Sequence, residues 1–499
     1  MRTDSVAIKN EVLAQEIEQL LQSMGSGPVS ATAYDTAWVA RLAAHYPQSG
    51  FDASLEWLRR SQSIDGTWGA PLVQYHDRYV STLAAIVALQ EAGRDVRDQR
   101  RVKRGADALW RLIGKLGQDD ADTVGFPVVS TALTQDAIAL GLDVPQPPIR
   151  FAVPYQRKVN ALLAQPKRDW RASPLIFSLE ALRAGLGAGD QVLEANHSVA
   201  ASPSATAGFL LVRSDDRALS YLTAVSSNGS HGGAPALSPI DVFDIAWGLT
   251  HLFRAGAIEW GHPQVRRALD HLWAMWSPVA GVGTSSFLPV PDIDDTAACF
   301  AVLRLAGYPV SPTVFEHYEA DEHFLCFHGE TNPSVSAHVR FLSALRLCED
   351  YPHYSEWMAK VLNVLKRFDE NGSFWWDKWH ASPYYVTGAA LIALQGLDDD
   401  LAASRLKWIL HTQNDDGGWG YLGQSTLEET AYCLEALLFW DGMVASIDPA
   451  VLDAAAQFLG DNLDHLPYLP LWIGKSLYTP YVPVKAAVLG ALFAYANRR

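Results

Sequence analysis

Two heptapeptides decide the fold: Gln62-Ser63-Ile64-Asp65-Gly66-Thr67-Trp68 and Gln413-Asn414-Asp415-Asp416-Gly417-Gly418-Trp419. Both read QxxxGxW, and a degenerate copy, Asp369-Glu370-Asn371-Gly372-Ser373-Phe374-Trp375, lies between them. The glycine permits a left-handed turn, the tryptophan stacks beside it, and the glutamine amide can tie the turn to a neighbouring helix. Outward from these turns nearly every periodic segment has helical spacing, as in residues 83–89 and 389–394. Strand-like alternation is scarce. The chain is therefore expected to be all-α, and the separated copies suggest two similar α-barrels of stacked helix pairs.

Composition narrows the function. At 499 residues the chain is long enough for two or three domains, and 49% apolar against 19% charged residues makes it globular. A net charge of −16, with no basic run beyond residues 100–104, argues against nucleic acid or an anionic membrane surface as partner. Four widely spaced cysteines without a CxxC pair read as reduced thiols, suggesting a cytoplasmic protein. No signal peptide or membrane-spanning run is visible. Val12, Leu13, Ile17, Leu20, Leu21 and Met24 mark an amphipathic first helix. The helical pattern breaks at residues 201–208 and 228–235. The expected organisation is an N-terminal helix over 1–22, a first barrel over 23–220, and a second barrel over 221–499.

The second barrel carries Asp292-Ile293-Asp294-Asp295-Thr296-Ala297, followed by an apolar run. Acidic residues at the head of a helix can simply cap it, accepting its free N–H groups and complementing its positive end. Crowded, buried carboxyls can instead stay protonated, because like charges and burial both raise a pKa. Such a group can deliver its proton to a very weak base.

The QxxxGxW turns and the DxDD box together resemble the class II terpene cyclases. Three further segments resemble signatures of the diterpene cyclases in that family: residues 32–38 the SxYDTxW motif, residues 202–207 SPSATA, and residues 472–478 WIGKxLY. The likeness covers nearly the whole chain. It implies a βγ architecture, two α-barrels with the active site in the cavity between them. No DDxxD or NSE/DTE metal box is found, so no class I α domain is expected and the diphosphate should be retained.

The resemblance also implies roles. Asp294, the middle aspartate, would protonate an alkene, with Asp292 and Asp295 holding its geometry. A histidine, His338, stands where diterpene cyclases commonly carry an asparagine partner to the acid; charged, it would strengthen that acid. Trp247, Trp375, Trp379, Tyr384, Tyr385 and Trp472 are candidate cation-stabilising aromatic faces, each contributing about 0.5–2 kcal/mol. Residues 118–122 resemble a loose EDxxD-type motif, making Asp119, Asp120 and Asp122 candidate Mg²⁺ ligands; Mg²⁺ commonly binds through phosphate oxygens and one or two carboxylates. A solvated acidic loop is the alternative. Arg78, Lys378 and Lys475 are candidate diphosphate contacts.

Cyclases forming ent-copalyl diphosphate resemble one another in a His–Asn pair that assists deprotonation. At the matching places this chain has Phe177 and Ala236, both apolar. Without a base near the first bicyclic cation, hydride and methyl shifts can outrun deprotonation. The chain is similar to the bacterial halimadienyl diphosphate synthases, so geranylgeranyl diphosphate is expected to give a rearranged labdane of halimane or clerodane (kolavenyl) type. A copalyl product, or a drimenyl one from farnesyl diphosphate, are the alternatives within this chemistry. A helical-repeat binding protein is the non-enzymatic one. A separate class I synthase or phosphatase is the expected downstream partner.

Overall fold

The computed structural model describes residues 10–119, 121–148, 156–157, 160, 170–182, 191–227, 231–288, 290–330, 332–369, 372–442, 446–465 and 468–498. It is helical throughout; the strands among these residues are four two-residue pieces, Ala31–Thr32 paired with Ala234–Pro235 and Trp472–Ile473 paired with Leu477–Tyr478.

Each QxxxGxW turn staples one helix to the next. The Trp68, Trp375 and Trp419 indole N–H groups donate to carbonyls ten residues earlier, at Leu58, Leu365 and Ile409 (2.8, 3.0 and 2.8 Å). The backbone N–H of each tryptophan donates to a threonine hydroxyl of the following helix, Thr82, Thr387 or Thr430 (3.0, 3.1 and 2.9 Å). Gln62 closes its turn on Gly66 O and reaches across to Arg101 O, both at 3.0 Å; Gln413 does the same with Gly417 O and Val451 O (2.8 and 3.0 Å). Gly66 and Gly417 have φ of +91° and +86°, and a Cβ there would stand 2.7 and 2.6 Å from backbone oxygens of Arg104 and Ala454. Only glycine fits such a position.

The two helices joined by each turn differ in kind. Pro383–Leu394 is buried nearly all round, whereas Tyr354–Arg367 buries only Trp357, Val361, Val364 and Leu365. The first pattern belongs to an inner barrel helix and the second to an outer one with a wet face. Two large apolar cores result, with a small third cluster of Ala70, Ile473 and Leu477. One runs from Ala33 to Ala234; the other takes Leu13, Ile17, Leu20, Leu21 and Met24 of the helix Asn10–Ser23 together with residues from Ala236 to Leu492. The changeover lies at 234–236, later than the expected 220/221, because Ala218 and Leu222 of the helix Asp216–Ser227 pack together in the first core.

A buried ionic knot clamps the barrels together. Lys475 Nζ donates to Glu180 Oε1, Ser202 Oγ and the Phe177 carbonyl (each 2.8 Å) and to Ser204 Oγ (2.5 Å). Tyr34 OH donates to the same Glu180 oxygen (2.8 Å), and Asp35 accepts the Ser204 N–H (3.3 Å). The SxYDTxW, SPSATA and WIGKxLY segments therefore meet at one interdomain contact.

Candidate active site

Asp292 is the N-cap of the helix Ile293–Leu305, its Oδ1 accepting the Asp295 N–H at 2.7 Å. The capping reading of the acidic box is thus correct for Asp292, and it fixes where the next two carboxyls point. Asp292, Asp294 and Asp295 all line a largely apolar cavity with Phe177, Phe243, Trp247, Phe327, Trp379, Trp472 and Tyr478. Asp295 Oδ2 accepts the Thr284 hydroxyl at 2.9 Å. Oδ1 of Asp294 and Oδ1 of Asp295 are buried without a hydrogen-bond partner.

Burial pushes the Asp294 carboxyl up to about 7; Arg340 pulls it back, while Asp295 and Asp377 add to the rise. Burial also raises Asp292 well above the carboxylate range, with Asp295 adding, and raises Asp295, with its bonds to Asp292 and Thr284 opposing. Three acids crowded in one largely apolar pocket favour neutral forms. The cation facing them is Arg340, whose Nε is 3.8 Å from Asp294 Oδ1. Its Nη2 donates to the Tyr385 hydroxyl (3.0 Å), and its guanidinium lies 4.5 Å from the Trp247 ring centre. Asp377 organises the neighbouring wall by accepting from the Ser334 and Ser336 hydroxyls (2.7 and 2.8 Å), Ser336 N and Trp379 N (both 3.0 Å).

His338 does not partner the acid. Its Nδ1–H donates to Ser334 O (2.6 Å) and its Nε2 accepts the Phe324 N–H (3.0 Å), so both ring nitrogens serve the backbone. Burial lowers its pKa to about 4, leaving a neutral ring rather than an imidazolium. The helix Val335–Leu345 turns Arg340 toward Asp294 instead. An arginine inside the apolar run 335–345 was the available sequence signal for it.

The other expected residues divide. Trp247, Trp379, Trp472 and Phe177 line the cavity; Tyr385 lies behind Trp247, whose indole N–H reaches its hydroxyl at 3.4 Å. Ala236 is buried beside cavity-lining Leu237. Trp375 is consumed by its QxxxGxW turn, and Tyr384 stacks on Trp408 (4.5 Å) away from the cavity lining. Arg78 braces the first turn through Ser63 Oγ, Thr67 Oγ1 and Pro71 O (3.2, 2.8 and 3.2 Å). Lys378 donates to Asn332 O (2.6 Å), and Lys475 is spent in the interdomain knot. These three cations already have protein oxygens, so the expected diphosphate role does not follow from their placement.

The acidic loop carries the candidate Mg²⁺ ligands. Asp119 accepts the Tyr75 and His76 N–H groups (2.9 and 2.7 Å) of the first turn of the helix Tyr75–Ala92, and its Oδ2 lies 2.7 Å from His76 Nδ1. Asp122 Oδ1 is 3.0 Å from His76 Nε2. Among the described residues no three His, Cys, Asp or Glu side chains converge on a cation site. Asp119 thus serves backbone N–H groups and His76, and Asp122 faces the same imidazole; Asp120 lies outside the described residues.

The chain is similar to known proteins in sequence and fold. Residues 330–436 match the squalene-hopene cyclase C-terminal domain. The chain is 36% identical to a type B diterpene cyclase of Mycobacterium tuberculosis, over 94% of this chain and 96% of that protein. It is 32% identical to a (−)-kolavenyl diphosphate synthase of Tripterygium wilfordii over 73% of this chain, a match that spans only 45% of the plant enzyme. The structure superposes on an ent-copalyl diphosphate synthase from Streptomyces platensis with a TM-score of 0.83 and 27% identity, covering 97% of this chain and 99% of that one. Among the described residues no helix is long and apolar enough to cross a membrane.

Proposed function

The chain belongs to the class II diterpene cyclases, and from that membership we propose that it protonates geranylgeranyl diphosphate and cyclises it to a rearranged bicyclic diterpenyl diphosphate. The observation that carries this reading is the placement of Asp294, whose carboxyl lines a cavity walled by aromatic rings with Arg340 Nε 3.8 Å away; burial raises its pKa to about 7.

In this reading Asp294 gives its proton to the terminal alkene of the substrate. Electron flow along the folded chain then forms the two rings and leaves positive charge on carbon; hydride and methyl shifts move that charge, and loss of a carbon-bound proton ends it as a new alkene, balancing the proton gained. Arg340 meets the carboxylate that remains, which offsets the cost of leaving a charge buried. Asp292 and Thr284 orient the acidic turn. Trp247, Trp379 and Trp472 face the migrating charge with π clouds that stabilise cations without attacking them. The diphosphate takes no part in bond breaking and stays on the product. Mg²⁺ would enter this reading through that diphosphate, whose oxygens it prefers, with Asp119, Asp120 and Asp122 as the candidate carboxylates.

A halimane or clerodane skeleton is supported by the apolar Phe177 in the cavity wall, the apolar Ala236 beside it, and the likeness to a kolavenyl diphosphate synthase. Four buried free cysteines suit a reducing, cytosolic setting. A separate class I synthase or a phosphatase would then act on the product.

Purified protein is incubated with geranylgeranyl or farnesyl diphosphate and Mg²⁺, then treated with phosphatase and analysed by mass spectrometry and NMR. A bicyclic C20 alcohol with migrated methyl groups is the expected result. An unrearranged labdane would replace the product reading by copalyl diphosphate; conversion of farnesyl diphosphate alone would make drimenyl diphosphate the product. If Phe177→His with Ala236→Asn leaves the skeleton unchanged, the missing base is not what permits rearrangement.

A further inference from the structure

Behind the cavity wall lies a second carboxylate that the protonation step does not use. Glu428, in the first turn of the helix Leu427–Trp440, is 2% exposed. Its Oε1 accepts three hydrogen bonds, from Trp472 Nε1 (2.7 Å), the Tyr432 hydroxyl (2.9 Å) and His380 Nε2 (3.2 Å). Its Oε2 is buried with no hydrogen-bond partner. His380 Nδ1 accepts the Ser382 N–H at 3.1 Å and lies 3.3 Å from the Ser382 carbonyl, while Nε2 faces Glu428.

Two other buried glutamates of this chain have a Lys or Arg partner. Glu180 has Lys475, and Glu435 has Arg254 and His251 (both 2.9 Å). Glu428 has three donors, one of them its ion-pair partner His380 (3.2 Å), and among the described residues no Lys or Arg pair. Three donors converge on one of its oxygens and none on the other, so the protein leaves Oε2 uncompensated. Its complement is a positive charge that exists only during turnover. Trp472, which donates to Glu428, lines the same cavity as Asp294. A charge-assisted bond at the indole N–H fixes the ring and makes its π face more negative, strengthening attraction for a cation. That attraction is absent before protonation and present afterwards, which is the condition for it to accelerate the reaction.

We propose that Glu428 is a positioning residue for cyclisation, acting through Trp472 to hold and polarise the aromatic wall along which the carbocation develops. The inference rests on the class II reading and extends it to a residue outside the cavity.

The test compares full-length wild type, Glu428→Gln, Trp472→Phe and the double variant on geranylgeranyl diphosphate, with melting temperature checked for each. Gln keeps an acceptor for the indole and removes the charge. Glu428→Gln is expected to lower kcat about tenfold with KM nearly unchanged, and to release incompletely cyclised products. In the Trp472→Phe background the same change is expected to cost less than about twofold, because the route through the indole N–H is gone. Wild-type kcat and products from a folded Glu428→Gln protein would overturn the proposal, as would equal losses in both backgrounds. Should Glu428→Gln not fold, Trp472→Phe alone decides: unchanged kcat and products there overturn it. Failure of the wild type to cyclise the substrate is a different result, and removes the class II reading together with this inference.

Discussion

Arg340 Nε stands 3.8 Å from Oδ1 of Asp294, close enough to act on its charge yet outside hydrogen-bond distance. Two opposing effects meet at that gap. Burial holds the Asp294 proton on, to about pH 7, while the guanidinium pulls the other way. Burial alone would give an acid that keeps its proton too well; a tight ion pair would give a carboxylate with no proton to donate. Tyr385 and Trp247, which hold the guanidinium, therefore bear on acid strength as well as on the cavity wall.

Replacing Arg340 by Gln should accordingly slow protonation while moving the alkaline limb of the rate profile upward. Without the guanidinium the Asp294 pKa rises further above 7. The acid stays protonated over a wider range and is weaker within it. Steady-state rates between pH 6 and 9 would show a lower plateau and a later fall; a limb at the same pH would mean that Arg340 does not act on the titrating group.

Asp294→Asn tests the acid on two independent axes. Turnover should vanish, because an amide has no proton of comparable acidity to give. Stability should change with pH in a defined sense. The folded pKa, about 7, lies above the ordinary value of 3.8, so the wild-type carboxyl contributes its full stability below about pH 4 and loses it as pH rises through 7. The variant lacks that loss. Its melting temperature relative to wild type should therefore be higher at pH 8 than at pH 5, a difference readable by calorimetry.

For His338 the expectation is structural. Replacement by Ala leaves the Phe324 N–H buried and unpaired, which costs about 1–3 kcal/mol. The wild-type ring is neutral in the fold, with its pKa lowered to about 4 against 6.5. Its contribution is present above about 6.5 and lost as pH falls toward 4. The penalty of His338→Ala should thus be largest at neutral pH and shrink in acid, while the alkaline limb set by Asp294 stays in place. Movement of that limb would restore His338 as the acid's partner.

What could be read from the sequence was whatever is encoded by local spacing. The QxxxGxW turns are local devices, with the glutamine, glycine and tryptophan at fixed offsets, and their hydrogen bonds follow the expected form. Asp292 and Asp295 are likewise three residues apart, the distance from an N-cap to the N–H it accepts. Arg340 and Glu428 were missed because their partners, Asp294 and Trp472, lie far away along the chain and no offset records those contacts. His338 and Lys475 were overread for a related reason: a polar residue at a signature position shows that it is needed without showing what it touches. Lys475 touches the first barrel.

Lys475 therefore supplies the sharpest separation of a binding role from an architectural one. Its ammonium is surrounded by oxygens of Glu180, Ser202, Ser204 and Phe177, all contributed by the first barrel. Lys475→Met would strand Glu180, a fully buried carboxylate, and removing one partner of a buried pair typically costs about 3–5 kcal/mol. The denaturation midpoint should drop strongly, and adding Glu180→Gln should recover part of the loss by removing the stranded charge. The Phe177 carbonyl would also lose its donor, so that the cavity wall loosens and product ratios shift at little change in KM. A lysine that bound diphosphate would behave in the opposite way: KM for the substrate would rise many-fold, the midpoint would hardly move, and Glu180→Gln would rescue nothing.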